Sequence, residues 1–336
     1  MSTPAEALPA GAPRLKSGSN LERVLAAGHF AVTAELGPPR SWDTESIRRK
    51  IKLLKGYCDA ANVTDNQTAV VRMSSIATAL LMQPEGLEPI IQMTCRDRNR
   101  IAIQSDLLGA AAHGLRNLLC LSGDHQSFGD HPGAKNVHDI DSIQMVQMVR
   151  VMRDEGKLQS GTEIKGGGPP IYIGAAASPF AHPTSMRPYR LRKKVIAGAD
   201  FIQTQLVYDV PAFREYMKKV VDLGVADRTR ILAGVGPLKS PGMARHLRDH
   251  VPGVTVPEEF IARMEAAARG IDEQDKEARR NAWAAEGQKI CVDMIQQLRE
   301  IPGVAGVHLM AIEWEQAVKP IVEAAGLLPR PVLAGA

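Results

Sequence analysis

Eight short apolar runs, each followed by a segment of helical period, recur along this sequence, and no other feature restricts its fold as strongly. The runs fall at 30–36, 60–64, 89–95, 117–124, 171–178, 201–207, 230–237 and 306–312. A pattern that switches repeatedly between strand and helix periods marks βα units, whose strands pair in parallel because each helix carries the chain back. The run Ile171-Tyr172-Ile173-Gly174-Ala175-Ala176 has almost no polar alternation, as expected of a parallel strand covered on both faces. Between the runs lie amphipathic segments such as 47–57, 98–113, 142–155, 188–197 and 210–223. Asp43, Asp97, Asp141, Thr184 and Asp209 precede them, where a side-chain oxygen can accept from the free amides of a helix start. Eight such units close most simply into an α/β fold of the (β/α)8 TIM-barrel type. A doubly wound open sheet would split around a nucleotide fingerprint, and no G-x-G-x-x-G follows the first run.

Two segments stand outside the repeat. Residues 20–27 read as an extra N-terminal helix that plugs the barrel base, capped by Ser19 or Asn20, and 257–298 as a helical insertion between strands seven and eight. The charge-rich stretch 272–280 within that insertion is expected to be a solvated face. At 336 residues the chain could hold one large barrel or two small domains, since barrels exceed the usual domain length. Without an internal repeat or linker, 20–328 is expected to be one catalytic domain, with 1–19 a flexible Ala-, Pro- and Gly-rich tail lacking a signal-peptide core and 329–336 a C-terminal tail.

Composition removes several function classes. Apolar residues make up 44% of the sequence, enough for a large core. The 41 basic and 37 acidic residues are spread along the chain for a net charge of +4, which argues against a nucleic-acid surface. No stretch approaches the roughly 20 apolar residues that span a membrane, so no membrane partner and a cytoplasmic location are expected. Cys58, Cys95, Cys120 and Cys291 are widely separated and form no C-x-x-C pair, as expected of buried, reduced thiols.

In a (β/α)8 barrel the reacting groups gather where the strands end. Those positions carry Glu35, then Thr64-Asp65-Asn66, Thr94, Asp124, 178–182, 205–209, Gly236-Pro237 and Glu313. They contain no Ser-His-Asp set and no H-E-x-x-H, so acyl transfer and zincin chemistry find no support. His125, His131 and His138 share one loop, but their spacings of six and seven fit no familiar zinc pattern, and no metal is expected. Glu35, in Ala34-Glu35-Leu36-Gly37-Pro38-Pro39-Arg40, ends an apolar strand before a stiff turn. Partial burial would raise its pKa and let it donate a proton near neutrality, whereas a capping or salt-bridged acid would serve structure alone. Asp124, in Leu121-Ser122-Gly123-Asp124-His125, is open to the same two readings, because an acid after glycine can simply form a turn.

Together these residues resemble the methylenetetrahydrofolate reductase family, in the same strand order from 30 to 328. The family's E-x-x-P-P is similar to Glu35-Leu36-Gly37-Pro38-Pro39, its V-T to Val63-Thr64, its T-C to Thr94-Cys95 and its G-D to Gly123-Asp124. Its T-Q, followed by an aromatic and an acid, is similar to Thr204-Gln205 with Tyr208-Asp209, and its basic helix with an A-G-A ending to 191–199. The resemblance implies an oxidoreductase acting on a CH–NH group in one-carbon metabolism and methionine biosynthesis. Hydride would pass from NADH or NADPH, through FAD, to 5,10-methylenetetrahydrofolate, giving 5-methyltetrahydrofolate, or the reaction would run oxidatively. It further implies that Glu35 protonates the folate amine so that the methylene bridge opens to an iminium, and that Asp124 stabilises the positive charge and tunes the flavin. Gln205, Thr94 and Glu313 would contact the tetrahydrofolate. Thr64, Ser122, Gly123, His182, Lys193 and Lys194 would contact the flavin, the two lysines near its phosphates.

The sequence departs from the family pattern at Gln92 and Ser122, where a histidine and an arginine are usual. Lys239-Ser240-Pro241-Gly242 stands where an aromatic is expected after strand seven, and Trp314 where an arginine is expected after strand eight. The strand-five loop lacks the usual tyrosine but keeps His182-Pro183. This is the pattern of a divergent branch. A homo-oligomer and an electron-transfer protein partner are compatible with it, the latter because the chain has no cysteine cluster of its own. The alternative from another reaction class is a methyltetrahydrofolate-dependent methyltransferase to a corrinoid protein, which needs no flavin. A folate-binding barrel without catalysis is disfavoured by retention of both Glu35 and Asp124.

Overall fold

In the computed structural model, which describes residues 14–333, eight parallel strands close into a barrel in chain order. Helix α1 (Asn20–Ala26) precedes β1 (Ala31–Leu36), and the units α2 (Glu45–Leu54), β2 (Ala60–Val63), α3 (Ser75–Met82) and β3 (Pro89–Thr94) follow. Next come α4 (Arg100–Ala112), β4 (Asn117–Leu121), α5 (Ser142–Glu155), β5 (Tyr172–Ala177), α6 (Arg187–Ala197) and β6 (Phe201–Leu206). The chain ends through α7 (Val210–Asp222), β7 (Arg230–Val235), α8 (Pro241–His250), α9 (Glu258–Ala267), α10 (Lys276–Arg299), β8 (Val304–Leu309) and α11 (Val318–Ala324). The protein is therefore a TIM barrel with its extra helical material between β7 and β8. Of the three helices between β7 and β8, α8 is the helix of the seventh unit, and α9 and α10 occupy the expected insertion.

Local chemistry accounts for the element ends. Asp141 and Gln144 form a reciprocal capping box at the start of α5, and Gly156 closes that helix in the left-handed region at φ 63°. Asp209 caps α7 by accepting from the Ala212 amide. Asp97 does not cap α4; Asn99 does so, at 3.1 and 3.0 Å from the Ile101 and Ala102 amides. Nor does Thr184 cap α6, since it opens a separate 3-10 turn. The fourth apolar run stops being a strand at Leu121, because Gly123 turns the chain at φ 86°, a conformation no strand continues.

Both ends of the described residues are tied to the barrel base. The backbone amides of Lys16, Ser17 and Gly18 donate to the Glu22 carboxylate at 2.6, 2.8 and 2.8 Å. At the other end Arg330 pairs at 2.6 Å with Asp59, whose side chain has no exposed surface, and Leu333 is buried. Residues 1–13 and 334–336 lie outside the described residues.

The barrel interior is graded from apolar to polar. At the base, α1 inserts Leu21, Val24 and Leu25 against Ile90, Leu119, Tyr172 and Phe201, the plug expected for this helix. Each such fully buried side chain contributes about 1.5–3 kcal/mol. Tyr172 and Phe201 stack with ring centroids 5.1 Å apart. Gly174 is required beside them, since a Cβ there would lie 2.3 Å from the Phe201 ring. Above this floor the interior turns polar. Asn62 and Gln203 exchange amide hydrogen bonds at 2.7 and 3.1 Å across the barrel. Thr33 shares a 3.0 Å hydrogen bond with His308 Nδ1, and the Asn62 amide lies 3.3 Å from His308 Nε2. Because every member has a partner, the layer avoids the ~1–3 kcal/mol cost of each orphaned buried group.

Candidate active site

Strand alternation decides which β1 residues face inward. Val32, Ala34 and Leu36 pack outward into the core beneath the helices, which leaves Thr33 and Glu35 on the barrel side. Glu35 thus stands directly above the polar layer at the C-terminal mouth, its side chain only 11% exposed. Burial, and then the nearby Glu315 carboxylate, push its pKa up to about 7, with Lys50 pulling the other way. The His308 imidazole comes within 4.0 Å of it, but burial lowers the histidine pKa to about 3, so the two do not form an ion pair at neutral pH. A carboxyl poised between its two protonation states near neutrality has the property required of a general acid.

A second set of residues ties the rims of β2, β3 and β4 together. Asp65 is fully buried at its carboxylate and accepts from the Thr94 amide at 2.9 Å, the Thr94 hydroxyl at 3.2 Å and Arg98 at 2.8 Å. Arg96, also buried, grips Asp97 through two bonds of 2.7 Å. Burial alone would raise the Asp97 pKa, yet the hydrogen bonds and charge of Arg96 hold it below the usual carboxylate range. The same guanidinium donates to the Asn66 carbonyl at 3.2 Å and the Asp124 carbonyl at 3.0 Å. Arg96 therefore locks the loop that carries Asp124, whose residue surface is exposed on the rim. Neither Arg96 nor Arg98 is singled out by strand-end reasoning. The signal available was the density of charge in Arg96-Asp97-Arg98 directly after an apolar strand.

Beside the mouth, between the ends of β4 and β5 and helices α5 and α6, lies a cleft of about 280 Å³. Its wall includes Ser122, Ser142, Ser178, Arg187, Arg190 and Lys194. Residues 187, 190, 191 and 194 share one face of α6 by helical spacing, and buried Leu191 anchors that face. Lys194 is buried and donates to the Ala176 carbonyl at 2.6 Å; burial and the neighbouring Arg190 lower its pKa to about 8. Lys193 falls on the exposed side of the helix, away from the cleft. Arg187 and Arg190 are the basic groups that accompany Lys194 instead.

The remaining expected residues divide similarly. Thr64 is buried at the mouth, and its hydroxyl lacks a hydrogen-bond partner. Gly123 lies against Thr94 and Arg96: a Cβ there would approach their Cβ atoms to 3.1 and 3.0 Å. Gln205 is half-buried and folds back to accept from the Leu206 amide at 2.9 Å. His182 is exposed, with its carbonyl accepting from Arg187. Glu313 is exposed at φ 50°; the acid turned inward after β8 is Glu315, which is buried and pairs with Lys50 at 2.6 Å. Lys239 from the β7 loop lies 6.0 Å from the Trp314 ring centroid and donates to the Ile312 carbonyl at 2.8 Å. The expected order of an aromatic after strand seven and a cation after strand eight is thus reversed, with both types still present on adjacent loops. The four cysteines are buried and unpaired. Among the described residues no helix is long and apolar enough to cross a membrane, and no cluster of His, Cys, Asp or Glu is placed to hold a metal ion.

Comparison with known proteins bears on this geometry. The family profile described as methylenetetrahydrofolate reductase matches residues 20–326. A probable methylenetetrahydrofolate reductase (NADPH) of Caenorhabditis elegans is 24% identical over 274 residues, covering 80% of this chain and 36% of that protein. Methylenetetrahydrofolate reductase 2 of Schizosaccharomyces pombe is 28% identical over 276 residues, covering 78% of this chain and 39% of that protein. The chain therefore spans less than two fifths of these two relatives. The 5,10-methylenetetrahydrofolate reductase of Salmonella typhimurium is 23% identical over 311 residues, covering 90% of this chain and 93% of that protein. Among solved structures, an uncharacterized protein from Clostridium thermocellum that binds two copies of 5-methyl-5,6,7,8-tetrahydrofolic acid shares the fold, with a TM-score of 0.57 at 14% identity, covering 92% of this chain and all of that one.

Proposed function

The chain belongs to the methylenetetrahydrofolate reductase family, and from that premise we propose that it interconverts 5,10-methylenetetrahydrofolate and 5-methyltetrahydrofolate with FAD and a reduced nicotinamide. The observation that carries the reading is Glu35: a carboxyl inside the mouth, in the E-x-x-P-P turn, with its pKa near 7. Opening the methylene bridge requires a proton on the departing folate nitrogen, and a group protonated near neutrality supplies it at least cost. Glu35 donates that proton and is left as a carboxylate, while the substrate becomes an iminium that accepts a hydride at its methylene carbon. Asp124, held through its backbone by Arg96, offers a negative charge on the same rim to stabilise the cation.

The residues around the mouth fit a flavin. The unpartnered Thr64 hydroxyl is available to a ring heteroatom, and Gly123 lets the rim backbone turn tightly against Thr94 and Arg96. Arg187, Arg190 and Lys194 gather the positive charge that a diphosphate requires, in a cleft opening beside the mouth. When bound, the flavin supplies the hydride relay between nicotinamide and folate. Ser122 and His182 belong to the rim of that site, while solvent-facing Lys193 does not. For the folate, Thr94 and Gln205 face the pterin, and the Lys239–Trp314 pair offers a cation and an aromatic plane to the tail, a role better suited to it than to exposed Glu313. A fold neighbour that binds 5-methyltetrahydrofolic acid is consistent with a barrel of this shape accepting the pterin.

The test is an anaerobic assay of the purified protein with FAD, NADH or NADPH, and methylenetetrahydrofolate. Formation of methyltetrahydrofolate that is lost in Glu35→Gln supports the reading. Turnover only with an added electron-transfer protein would assign the nicotinamide step to that partner. Methyl transfer to a corrinoid protein without flavin would replace the reading.

A further inference from the structure

We propose that Glu315 and Lys50 are positioning residues for Glu35, fixing the turn that carries it and setting the charge beside it. The proposal rests on Glu35 being the proton donor. Because β1 and β8 pair in parallel, the segments leaving their C-terminal ends run side by side. The segment after β8 forms a 3-10 turn, Glu315–Ala317, which brings the Glu315 carboxylate inward with a side-chain exposure of 8%. Lys50 reaches it from α2 at 2.6 Å and, with the same Nζ, donates to the Gly37 carbonyl at 3.1 Å. Gly37 lies two residues beyond Glu35, so one ammonium ties the β1 turn to the acid after β8.

Stability alone is a weak reason for such a pair, since a buried ion pair is often replaceable by apolar groups at little cost. Its place beside a reacting carboxyl is a better one. Glu315 disfavours a second negative charge at Glu35, and Lys50 favours it. Before proton transfer the Glu315 charge adds to burial in keeping Glu35 protonated. Afterwards the new carboxylate stands near Glu315, and Lys50, shared with both, limits the repulsion until solvent returns the proton. The other groups facing Glu35 do not do this work: His308 on β8 is neutral, and β2 presents Asn62 and Thr64, which carry no charge.

The experiment uses full-length protein carrying Glu315→Gln, Lys50→Met or Lys50→Arg. The Glu35 carboxyl is titrated by infrared spectroscopy on glutamate-labelled protein, as the difference from the same background carrying Glu35→Gln. The pH profile of kcat for methylenetetrahydrofolate reduction is measured alongside. In Glu315→Gln both the infrared titration and the fall in kcat are expected to move to lower pH, and in Lys50→Met to higher pH, each by about one pH unit, with Lys50→Arg close to wild type. Titrations that stay in place in both variants, or that move in the same direction, overturn the proposal. Should Glu315→Gln fail to fold, the two Lys50 variants carry the same comparison. Should Glu35→Gln retain full turnover, the proton-donor reading fails, and the infrared titration still decides whether the pair controls Glu35.

Discussion

Replacing Glu35 by glutamine removes a carboxyl that the fold prefers to keep protonated, and the consequence for stability can be worked from its pKa. The carboxyl titrates near 4.5 when unfolded and near 7 in the native barrel. The native state therefore holds the proton more tightly, and stability is lost as pH rises through the interval between those values. At about 1.36 kcal/mol per unit of displacement, full ionisation costs the native state about 3 kcal/mol by pH ~8. Glutamine cannot ionise and is spared that cost. Urea denaturation of wild type and Glu35→Gln across pH tests this, since titrating groups not coupled to Glu35 cancel in the difference. The two proteins should converge below about pH 4.5, and the variant should gain about 3 kcal/mol on wild type by pH ~8, while reduction of methylenetetrahydrofolate falls by about 10²–10⁴. A stability difference independent of pH would show that Glu35 is an ordinary ionised surface acid and would refute the proton-donor assignment.

Other consequences concern the groups around it. Lys194→Met should weaken FAD binding by about 10–100-fold. In wild type the affinity should fall as pH rises past about 8, where Lys194 loses its proton, and flavin fluorescence titration checks both. Lys239→Ala should raise KM for the folate with little change in kcat, because the pair it forms with Trp314 would contact the tail and not the reacting carbon. Equal losses in both constants would place Lys239 at the chemistry. Gly123→Ala should cost about 1–2 kcal/mol from its left-handed backbone and weaken flavin binding further by pressing on Thr94 and Arg96, as urea midpoints and the same titration would show.

The barrel is legible in the sequence because each parallel strand, covered on both faces, reads as an uninterrupted apolar run, and eight of them cannot be arranged in many ways. Glu35 is legible for the same reason, as the one acid ending such a run before a proline-stiffened turn. Glu315 is not. The sequence offers Glu313 and Glu315 two residues apart, and the choice is made by the positive φ of Glu313 and the 3-10 turn that follows, which leave no periodic trace. The basic face of α6 is half legible: Lys193 and Lys194 stand out as a doublet, but helical phase, set by Leu191, turns only Lys194 inward and brings Arg187 and Arg190 with it. Buried Arg96 and half-buried Arg98 escape strand-end reasoning because arginine after a strand usually means solvent, and only the facing carboxylates of Asp97 and Asp65 explain why they turn inward. The anchoring of the described residues next to each end is not legible either, because tertiary contacts, Arg330 on Asp59 and Glu22 on the backbone before α1, override a loop-like composition.

The most direct test of the folate reductase reading is the visible spectrum of the FAD-loaded protein, recorded anaerobically before and after adding 5-methyltetrahydrofolate. Loss of the oxidised flavin bands, with methylenetetrahydrofolate appearing in equal amount, is the expected result. A flavin that stays oxidised in wild-type protein shown to bind both FAD and the folate would contradict it.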